Sequence, residues 1–576
     1  MKKYGTIVLL SLCIGSFALA DVFASRTRIT NPDGTPFDGN VKDGTGVKLW
    51  YYLNDTATAV SVKVINTVSG AVAATINAAD QGRSTNPNSV VWDGAGAVDG
   101  AKYYFSISAT GPVYSETDYK AFYFQPTSPV GDIATGIFTR GVDANNDMNS
   151  RNFGYWYASN SDGGSSGYLT GLLRYNPDGS FAGTNPNHPI LVNTLGTSNS
   201  GTFNWGSTAP WTSALDGKGR IYQVSNGGNF VTRVDHDTAA PKVIVRNVVS
   251  PRGLYAVGEG ANLKLYIAAD TVVWRANIGN DDTLSTPLEL VASLGTYVRD
   301  VLIDDGGGLL VTLRTGTAGT APGYIEKYDI SSGLPKQRSD ALFQIVSATG
   351  QMVCMAKNSG PDKNSASDDT IFYSVRGATS SDNTTFGVHR LIDIAGGFPD
   401  TKQIFRSGDV AGSLGGNNNA NADLALDWAG NIVWFENSNE EIFMVSPPRS
   451  GTSVTRTTRA YDTVAVAGTS SAGDVPLNPS DFALRQNYPN PFNPSTAIAY
   501  QLPAGAEVTV AVYDVLGTLV KELYNGRADA GQNAVVWNAT NRAGANVSSG
   551  VYLYRVTART DDGRSFSETK RMMLLK

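Results

Sequence analysis

The chain has 576 residues, a formal net charge of −6, a pI near 5.3 and a hydrophobic fraction of 41%. The acidity removes the electrostatic footprint that nucleic acid or an anionic membrane requires, and the apolar fraction suffices for packed cores, so general disorder is excluded. The length exceeds a single core and predicts about two to four domains, and 62 glycines with few long runs of period 3.6 predict an all-β chain rich in turns.

The basic start Met1-Lys2-Lys3, the apolar run from Ile7 to Ala20 and the small-x-small site Ala18-Leu19-Ala20 predict a signal peptide over residues 1–20. Cleavage is expected after Ala20, with Ala24 as the second site. The run is too short for a stable bilayer anchor, and no second long apolar stretch follows. Cys13 falls inside the leader, and Leu10-Ser11-Leu12 before it lacks the small residue of a lipoprotein signal. Cys354 is then the only cysteine, so no internal disulfide is expected.

After an N-terminal segment over 21–40, residues 41–126 read as a β-sandwich: VKLWYYLNDTATAVSVKVINTVSGAVAATI, then VVWDGAGAVDGAKYYFSISA. Near the other end IAYQLPAGAEVTVAVYDVLGTLVKEL is followed by VVWNATNRAGANVSSGVYLYRVTA. The two units align with Trp92 on Trp537, Leu53 on Leu502, and the Tyr104/Ser106 strand on the Tyr552/Tyr554 strand. The N-terminal copy resembles the immunoglobulin-like domain of flagellar hook-capping proteins.

Residues 131–450 have a different rhythm. A short apolar strand, an aspartate, a glycine-containing turn and a second strand recur as ALDGKGRIYQV, LIDDGGGLLVTL and LALDWAGNIVWF. The intervals from Asp216 to Asp304 and from Asp304 to Asp427 are near two and three units of roughly 40 to 45 residues, the period of four-stranded propeller blades. The region is similar in its Asp-x-x-Gly turns to NHL-repeat and gluconolactonase-like propellers, which implies six or seven blades. The predicted fold is therefore all-β: a propeller flanked by two immunoglobulin-like sandwiches.

Counting back from the turn aspartates places Trp211, Arg299 and Ala422, then Thr212, Asp300 and Asp423, at one end of the innermost strands; SPRGLYAV adds Arg252 and Gly253. Trp211, Arg252, Arg299, Asp300 and Asp423 thus form a candidate ligand-binding rim, or else a set of side chains pairing across the channel to satisfy strand ends. Asp143, Asn145 and Asp147 alternate as at the start of a calcium loop, which makes calcium the one candidate cofactor, although the run lacks the glycine at position six and the glutamate at twelve. His188, His236 and His389 have no metal-ligand spacing, and His236 in Asp235-His236-Asp237 is expected at a peripheral hairpin.

Residues 451–480, rich in Ser, Thr, Gly, Ala and Val, read as a linker to a C-terminal sandwich over 481–576. That sandwich holds, in order, Asn490-Pro491-Phe492-Asn493-Pro494, then Tyr513, Asp514 and Gly517, then Gly550 and Tyr552, and a basic-apolar tail from Lys570 to Lys576. The ordered set resembles the type A C-terminal sorting domain of the type IX secretion system of Bacteroidetes-like bacteria. A plain sandwich whose prolines shape a loop is the other reading. The resemblance implies export by that machinery to the medium or the outer-membrane surface. Together these features predict a surface or secreted protein whose propeller serves ligand binding or adhesion, with a carbohydrate or protein as partner. The alternative is an extracellular propeller hydrolase, lyase or lactonase with a calcium-dependent site; no recognisable acid-base pair supports it.

Overall fold

Six four-stranded antiparallel sheets follow one another along the chain, each running from an inner to an outer strand. The computed structural model describes residues 22–575 apart from internal stretches, the longest being 125–138, 161–170, 183–189, 194–209, 377–386, 407–422 and 467–481. The inner strands are Thr139–Ala144, Ser213–Leu215, Pro251–Val257, Tyr297–Ile303, Gln351–Asn358 and Asp423–Leu426, in blades 1 to 6.

What makes these sheets a ring is side-chain burial between them. An apolar cluster fills the gap between every neighbouring pair, such as Tyr157 and Leu172 against Ile221 and Val234 between blades 1 and 2. The cluster of Val142, Trp156, Val433 and Phe435 joins blade 6 back to blade 1. The described residues thus form a six-bladed β-propeller. Its sixth blade takes its outer strand, Lys120–Phe124, from ahead of blade 1, paired to Glu441–Ser446. The propeller therefore begins at Lys120 and not at 131.

Each Asp-x-x-Gly turn joins an inner strand to the second strand of its blade. In Asp427-Trp428-Ala429-Gly430 the Asp427 carboxylate accepts the N–H groups of Ala429 and Asn431, both at 2.9 Å, and Gly430 has φ of 78°, where glycine alone carries no Cβ penalty.

The N-terminal sandwich has one sheet of Ala24–Thr30, Val47–Leu53 and Asn88–Trp92. Its second sheet contains Ala59–Asn66, Val72–Ala78 and Lys102–Thr110, and is completed by Ser453–Thr457 and Val464–Ala465, which return from beyond the propeller. This corrects two expected boundaries. The sandwich starts at the strand Ala24–Thr30, inside the segment assigned to 21–40, and the first half of the expected 451–480 linker is sandwich. Composition misled because Ser and Thr serve an edge strand as well as a tether. Ser453 and Thr455 hydroxyls bond Thr110 and Ser108 at 2.6 and 2.7 Å, and Val464 and Val466 are buried in the core beside Trp92 and Phe105.

Sandwich and propeller form one compact unit, Met1–Thr469, and Ser470–Lys576 forms a second. The second unit is also a sandwich, with Ala483–Leu484, Thr496–Leu502 and Gly531–Trp537 in one sheet and Leu519–Ala528, Ala506–Tyr513, Gly550–Thr560 and Ser565–Leu574 in the other. The internal duplication is visible in detail. Trp92 lies opposite Val47, and Trp537 opposite Thr496; each donates its indole N–H to the carbonyl three residues on, at 3.0 and 2.9 Å. Trp92 meets Tyr103 edge-on at 5.2 Å, and Trp537 meets Tyr552 at 5.1 Å. The equivalent inward pair is therefore Tyr103/Phe105, not the expected Tyr104/Ser106: a slip of one residue moves a strand's side chains to the other face.

A chain ending at Thr469 should melt cooperatively. One ending at residue 450 should lose about 3 kcal/mol or more, from the burial of Val464 and Val466 alone. Equal denaturant midpoints for the two chains, followed by circular dichroism, would show that the returning strands are dispensable.

Candidate functional site

A β-bulge sets two residues of one strand against a single residue of its partner and re-aims the extra side chain. In blade 1 the register passes from Thr139 opposite Asn160 to Gly141 opposite Ser159, so Arg140 is the extra residue. In blade 3 it passes from Pro251 opposite Ala269 to Gly253 opposite Ala268, with Arg252 between. In blade 4 it passes from Val298 opposite Leu313 to Asp300 opposite Thr312, with Arg299 between. Blade 2 makes the same two-against-one arrangement: Trp211 donates its N–H to Val224 O at 2.8 Å, and Val224 donates to Thr212 O at 3.0 Å. Glycine follows the arginine in blades 1 and 3 because the next blade crowds it. A Cβ on Gly141 would stand 2.6 Å from Thr212 Cα, and one on Gly253 2.6 Å from Asp300 Cα.

The bulged side chains converge at one mouth of the channel. Arg140 and Arg252 each hold a guanidinium carbon 4.4 Å from the Trp211 ring centroid, and Arg299 lies at 5.6 Å. Arg252 is also 4.6 Å from the Tyr297 ring. Arg314 and Arg376 end the second strands of blades 4 and 5, opposite Tyr297 and Gln351, where those inner strands begin. Burial is the first cause that lowers Arg299 to about 9, followed by the charges of Arg252, Arg140, Arg314 and Arg376. Burial and then Arg140 and Arg314 lower Arg252 to about 10, with Asp270 opposing weakly. Trp211 and Arg299 are each 8% exposed, and the Arg252 Nε is buried with no hydrogen-bond partner among the described residues.

Of the five expected rim residues, the structure brings together Trp211, Arg252 and Arg299 and separates Asp300 and Asp423. These aspartates serve the inner strands, whose edges face the channel and have no further strand to pair with. Asp423 Oδ2 accepts Val142 N–H at 2.8 Å, from blade 6 to blade 1, and Asp300 Oδ2 accepts Met355 N–H at 2.8 Å, from blade 4 to blade 5. Asp143 does the same from blade 1 to blade 2, accepting Leu215 N–H at 2.7 Å. All three carboxyls are pushed up: burial is the main cause, it takes Asp143 to about 7, and the charge of Asp423 adds to it at Asp300. They line a channel cavity of about 640 Å³ together with Tyr255 and Lys357. Lys357 pairs with Asp305 across blades 4 and 5.

The calcium-like run does not act as one loop. Asp143 spends its other oxygen on Ala144 N–H at 2.8 Å, Asn145 Oδ1 accepts Asp147 N–H at 3.1 Å, and Asp147 Oδ1 accepts Asn149 N–H at 2.9 Å. The alternation belongs to a strand end followed by side-chain-capped turns, and among the described residues no group of three or more His, Cys, Asp or Glu is placed to hold a metal ion. His389 stacks on Tyr373 at 5.1 Å, while His188 and His236 lie outside the described residues. Cys354 is buried beside Ser374, and burial pushes its thiol well up.

Sequence reasoning missed Arg140, Arg314 and Arg376. Blade 1 replaces the Asp turn by a longer loop from Asn145 to Tyr155, so counting back from a turn aspartate never reaches Arg140. Arg314 and Arg376 belong to second strands, which counting back from a turn does not reach, and blade 5 has no Asp-x-x-Gly turn to count from.

In the C-terminal unit the sorting-like motif is one structural feature. Asn490 Oδ1 accepts Met573 N–H at 2.8 Å, Phe492 N–H bonds Met573 O at 2.9 Å, and Leu575 N–H bonds Phe492 O at 3.0 Å. Phe492 is buried against Trp537 at 5.6 Å, whereas Asn493 and Pro494 are exposed. Asp514 caps its turn through Leu516 and Thr518 N–H at 2.9 and 2.8 Å, and Gly517 takes φ of 85°. Tyr513 lies under Arg555 at 5.1 Å, Tyr552 follows Gly550 and donates its hydroxyl to Ser548 O at 2.7 Å, and Lys570 pairs with Glu568 at 3.3 Å. Ala18, Ala20, Pro491 and Lys576 lie outside the described residues.

Residues 491–562 match the family described as the FlgD Ig-like domain, so this likeness falls on the C-terminal copy of the sandwich. No curated protein matches the chain. Among solved structures it is similar to PorZ, an essential surface component of the type IX secretion system of Porphyromonas gingivalis, at 12% identity over 92% of this chain and 69% of that one, with a TM-score of 0.31. It is also similar to virginiamycin B lyase from Staphylococcus aureus, at 10% identity over 57% of this chain and 99% of that one, with a TM-score of 0.33. A putative gluconolactonase is 12% identical over 58% of this chain and 95% of that one, with a TM-score of 0.35.

The channel carboxyls give a pH signature. An unfolded aspartate has lost its proton above about 4, whereas folded Asp143 keeps it to about 7, so the native state binds more protons in that window. Stability from this group is full below the unfolded value and is lost as pH rises from about 4 through 7. Denaturant midpoints measured across that range should fall with rising pH, and Asp143→Asn should flatten the slope; an unchanged slope would count against a protonated Asp143.

Proposed function

We propose that this is a secreted or outer-membrane-surface protein that binds a ligand at the propeller mouth around Trp211 and is exported by type IX secretion machinery through its C-terminal sandwich. The binding reading rests on one observation: the same inner-strand bulge carries arginine in blades 1, 3 and 4 and tryptophan in blade 2. Blade 5 makes a similar bulge with Val353 and Cys354, so the bulge is a device of the fold, but arginine or tryptophan placed on it in four blades is better explained by a ligand than by packing. Binding is favoured over hydrolysis or lactone chemistry because Asp300 and Asp423, the carboxylates next below the mouth, hold backbone amides of the neighbouring blades.

The export reading is supported by the way Asn490 and Phe492 zip onto Met573–Leu575. The proline-asparagine segment and the tail thus make one surface that a receptor reads as a unit. Among the described residues no helix is long and apolar enough to cross a membrane.

Removal of residues 480–576 should abolish delivery to the medium or cell surface in a host with type IX secretion, measured by fractionation and blotting. Undiminished delivery would reduce the C-terminal sandwich to a spacer. Intact-mass measurement of the product should show loss of about twenty N-terminal residues, as expected of a leader.

A further inference from the structure

We infer that the Trp211 mouth recognises a phosphate-type oxyanion, a tetrahedral and multiply charged group presented by the ligand; this rests on the mouth being the ligand site. Among the described residues, the guanidiniums of Arg140, Arg252 and Arg299 gather at Trp211, and those of Arg314 and Arg376 act on them by charge, so cations come to it from blades 1, 3, 4 and 5. They do so in a chain whose net charge is −6. Local charge is therefore inverted against the rest of the molecule, which is how a site selects an anion and draws it in.

Three further observations narrow the group. Trp211 has guanidiniums at 4.4 Å from two arginines and is only 8% exposed, so its ring orients the arginines and offers no face for stacking a neutral sugar. Among the described residues Arg252 Nε is a buried donor without an acceptor, the kind of atom that a bound oxygen satisfies. Below the mouth, the Asp300 and Asp423 carboxyls are engaged with backbone N–H groups and offer an anion no donor, so the group is held end-on at the opening.

A single carboxylate offers two oxygens in one plane and one charge, which suits one or two guanidiniums. A tetrahedral dianion offers oxygens in several directions and two charges, matching donors that arrive from four blades. The mutual repulsion that lowers Arg252 and Arg299 is relieved by such a group, so binding should stabilise the fold.

The test uses the full-length protein, titrated at matched ionic strength with inorganic phosphate, sulfate, glucuronate, a neutral oligosaccharide or chloride, and read by calorimetry and melting temperature. Phosphate and sulfate should bind saturably and raise the melting temperature, with glucuronate about tenfold weaker or more. Arg252→Gln should weaken phosphate about tenfold or more, with unchanged circular dichroism in chloride. Arg314→Gln, at a strand end, serves as a second variant should Arg252→Gln misfold. Absence of saturable phosphate and sulfate binding by the folded wild-type chain overturns the inference, as does binding that both variants leave intact. If glucuronate or a neutral oligosaccharide binds instead and Arg252→Gln abolishes that binding, the oxyanion class falls while the mouth stands as the ligand site. If such binding survives both variants, the mouth itself falls.

Discussion

A ring of sheets must close, and in this chain closure governs the rest of the architecture. The gap between blades 6 and 1 is filled by side chains of both, but blade 6 has only three strands of its own after the inner strands of the other blades have been passed. Its fourth comes from Lys120–Phe124. The ring thereby uses the start of its own chain to cover an edge that would otherwise remain open to pairing. Because that strand precedes blade 1, the chain must enter and leave the propeller at the same place. The entering strand Lys102–Thr110 and the departing strand Ser453–Thr457 pair with each other, starting at Thr110 opposite Ser453. The propeller is an insertion in a sandwich, and neither is complete without the other.

Closure also fixes which end of the channel meets the sandwich. Phe23 packs on Phe153 and Trp428 at 5.2 and 6.3 Å, and Arg456 donates to Ser150 O at 2.7 Å, so contact is made through the inner-to-second turns of blades 1 and 6. A buried ion pair between Arg449 and Asp55 at 2.8 Å ties the exit of blade 6 to the sandwich. Losing one partner of such a pair typically costs about 3–5 kcal/mol. The bulges lie at the other end of the same inner strands. One mouth is committed to holding the protein together, and the other carries the arginines.

The architecture was legible in the sequence wherever a local rule had a local cause. Asp216, Asp304 and Asp427 announce blades because a carboxylate must cap the turn and a glycine must follow with positive φ. The repeat of Trp92 in Trp537 announces the two sandwiches because an indole needs the same cavity and the same carbonyl twice. What stayed hidden depends on long-range pairing. Nothing local distinguishes SVTRT as an edge strand from a tether, since its partner is Ser106–Thr110, more than three hundred residues earlier. Likewise Asp300 and Asp423 have the residue type of a polar rim, and only the backbone N–H groups of Met355 and Val142 show that they join blades. Arg299 is legible by counting from its turn and Arg252 by matching SPRGLYAV to the same register; Arg140 is not, because blade 1 has a different turn.

The mouth is where this chain breaks its own rules. Several buried charges away from the mouth are matched by an opposite charge: Lys327 with Asp304 at 2.7 Å, Arg220 with Asp216 at 2.6 Å, Arg338 with Glu326 at 2.8 Å. At the mouth like charges are gathered, and burial followed by the charge of the other arginines lowers Arg252 and Arg299. Contact with the Trp211 and Tyr297 rings offsets part of that repulsion, about 0.5–2 kcal/mol per contact, but it does not cancel several mutually repelling cations. Placing an arginine on a bulge in three blades also gives up ladder regularity three times. The bulge belongs to the fold, since blade 5 makes one with Val353 and Cys354; it is the gathering of arginines on it that folding alone gives no reason for. Sites that depart from local consistency in this way are where function resides in natural proteins. Here the departure gathers cations around one indole, with an Arg252 Nε that has no acceptor among the described residues.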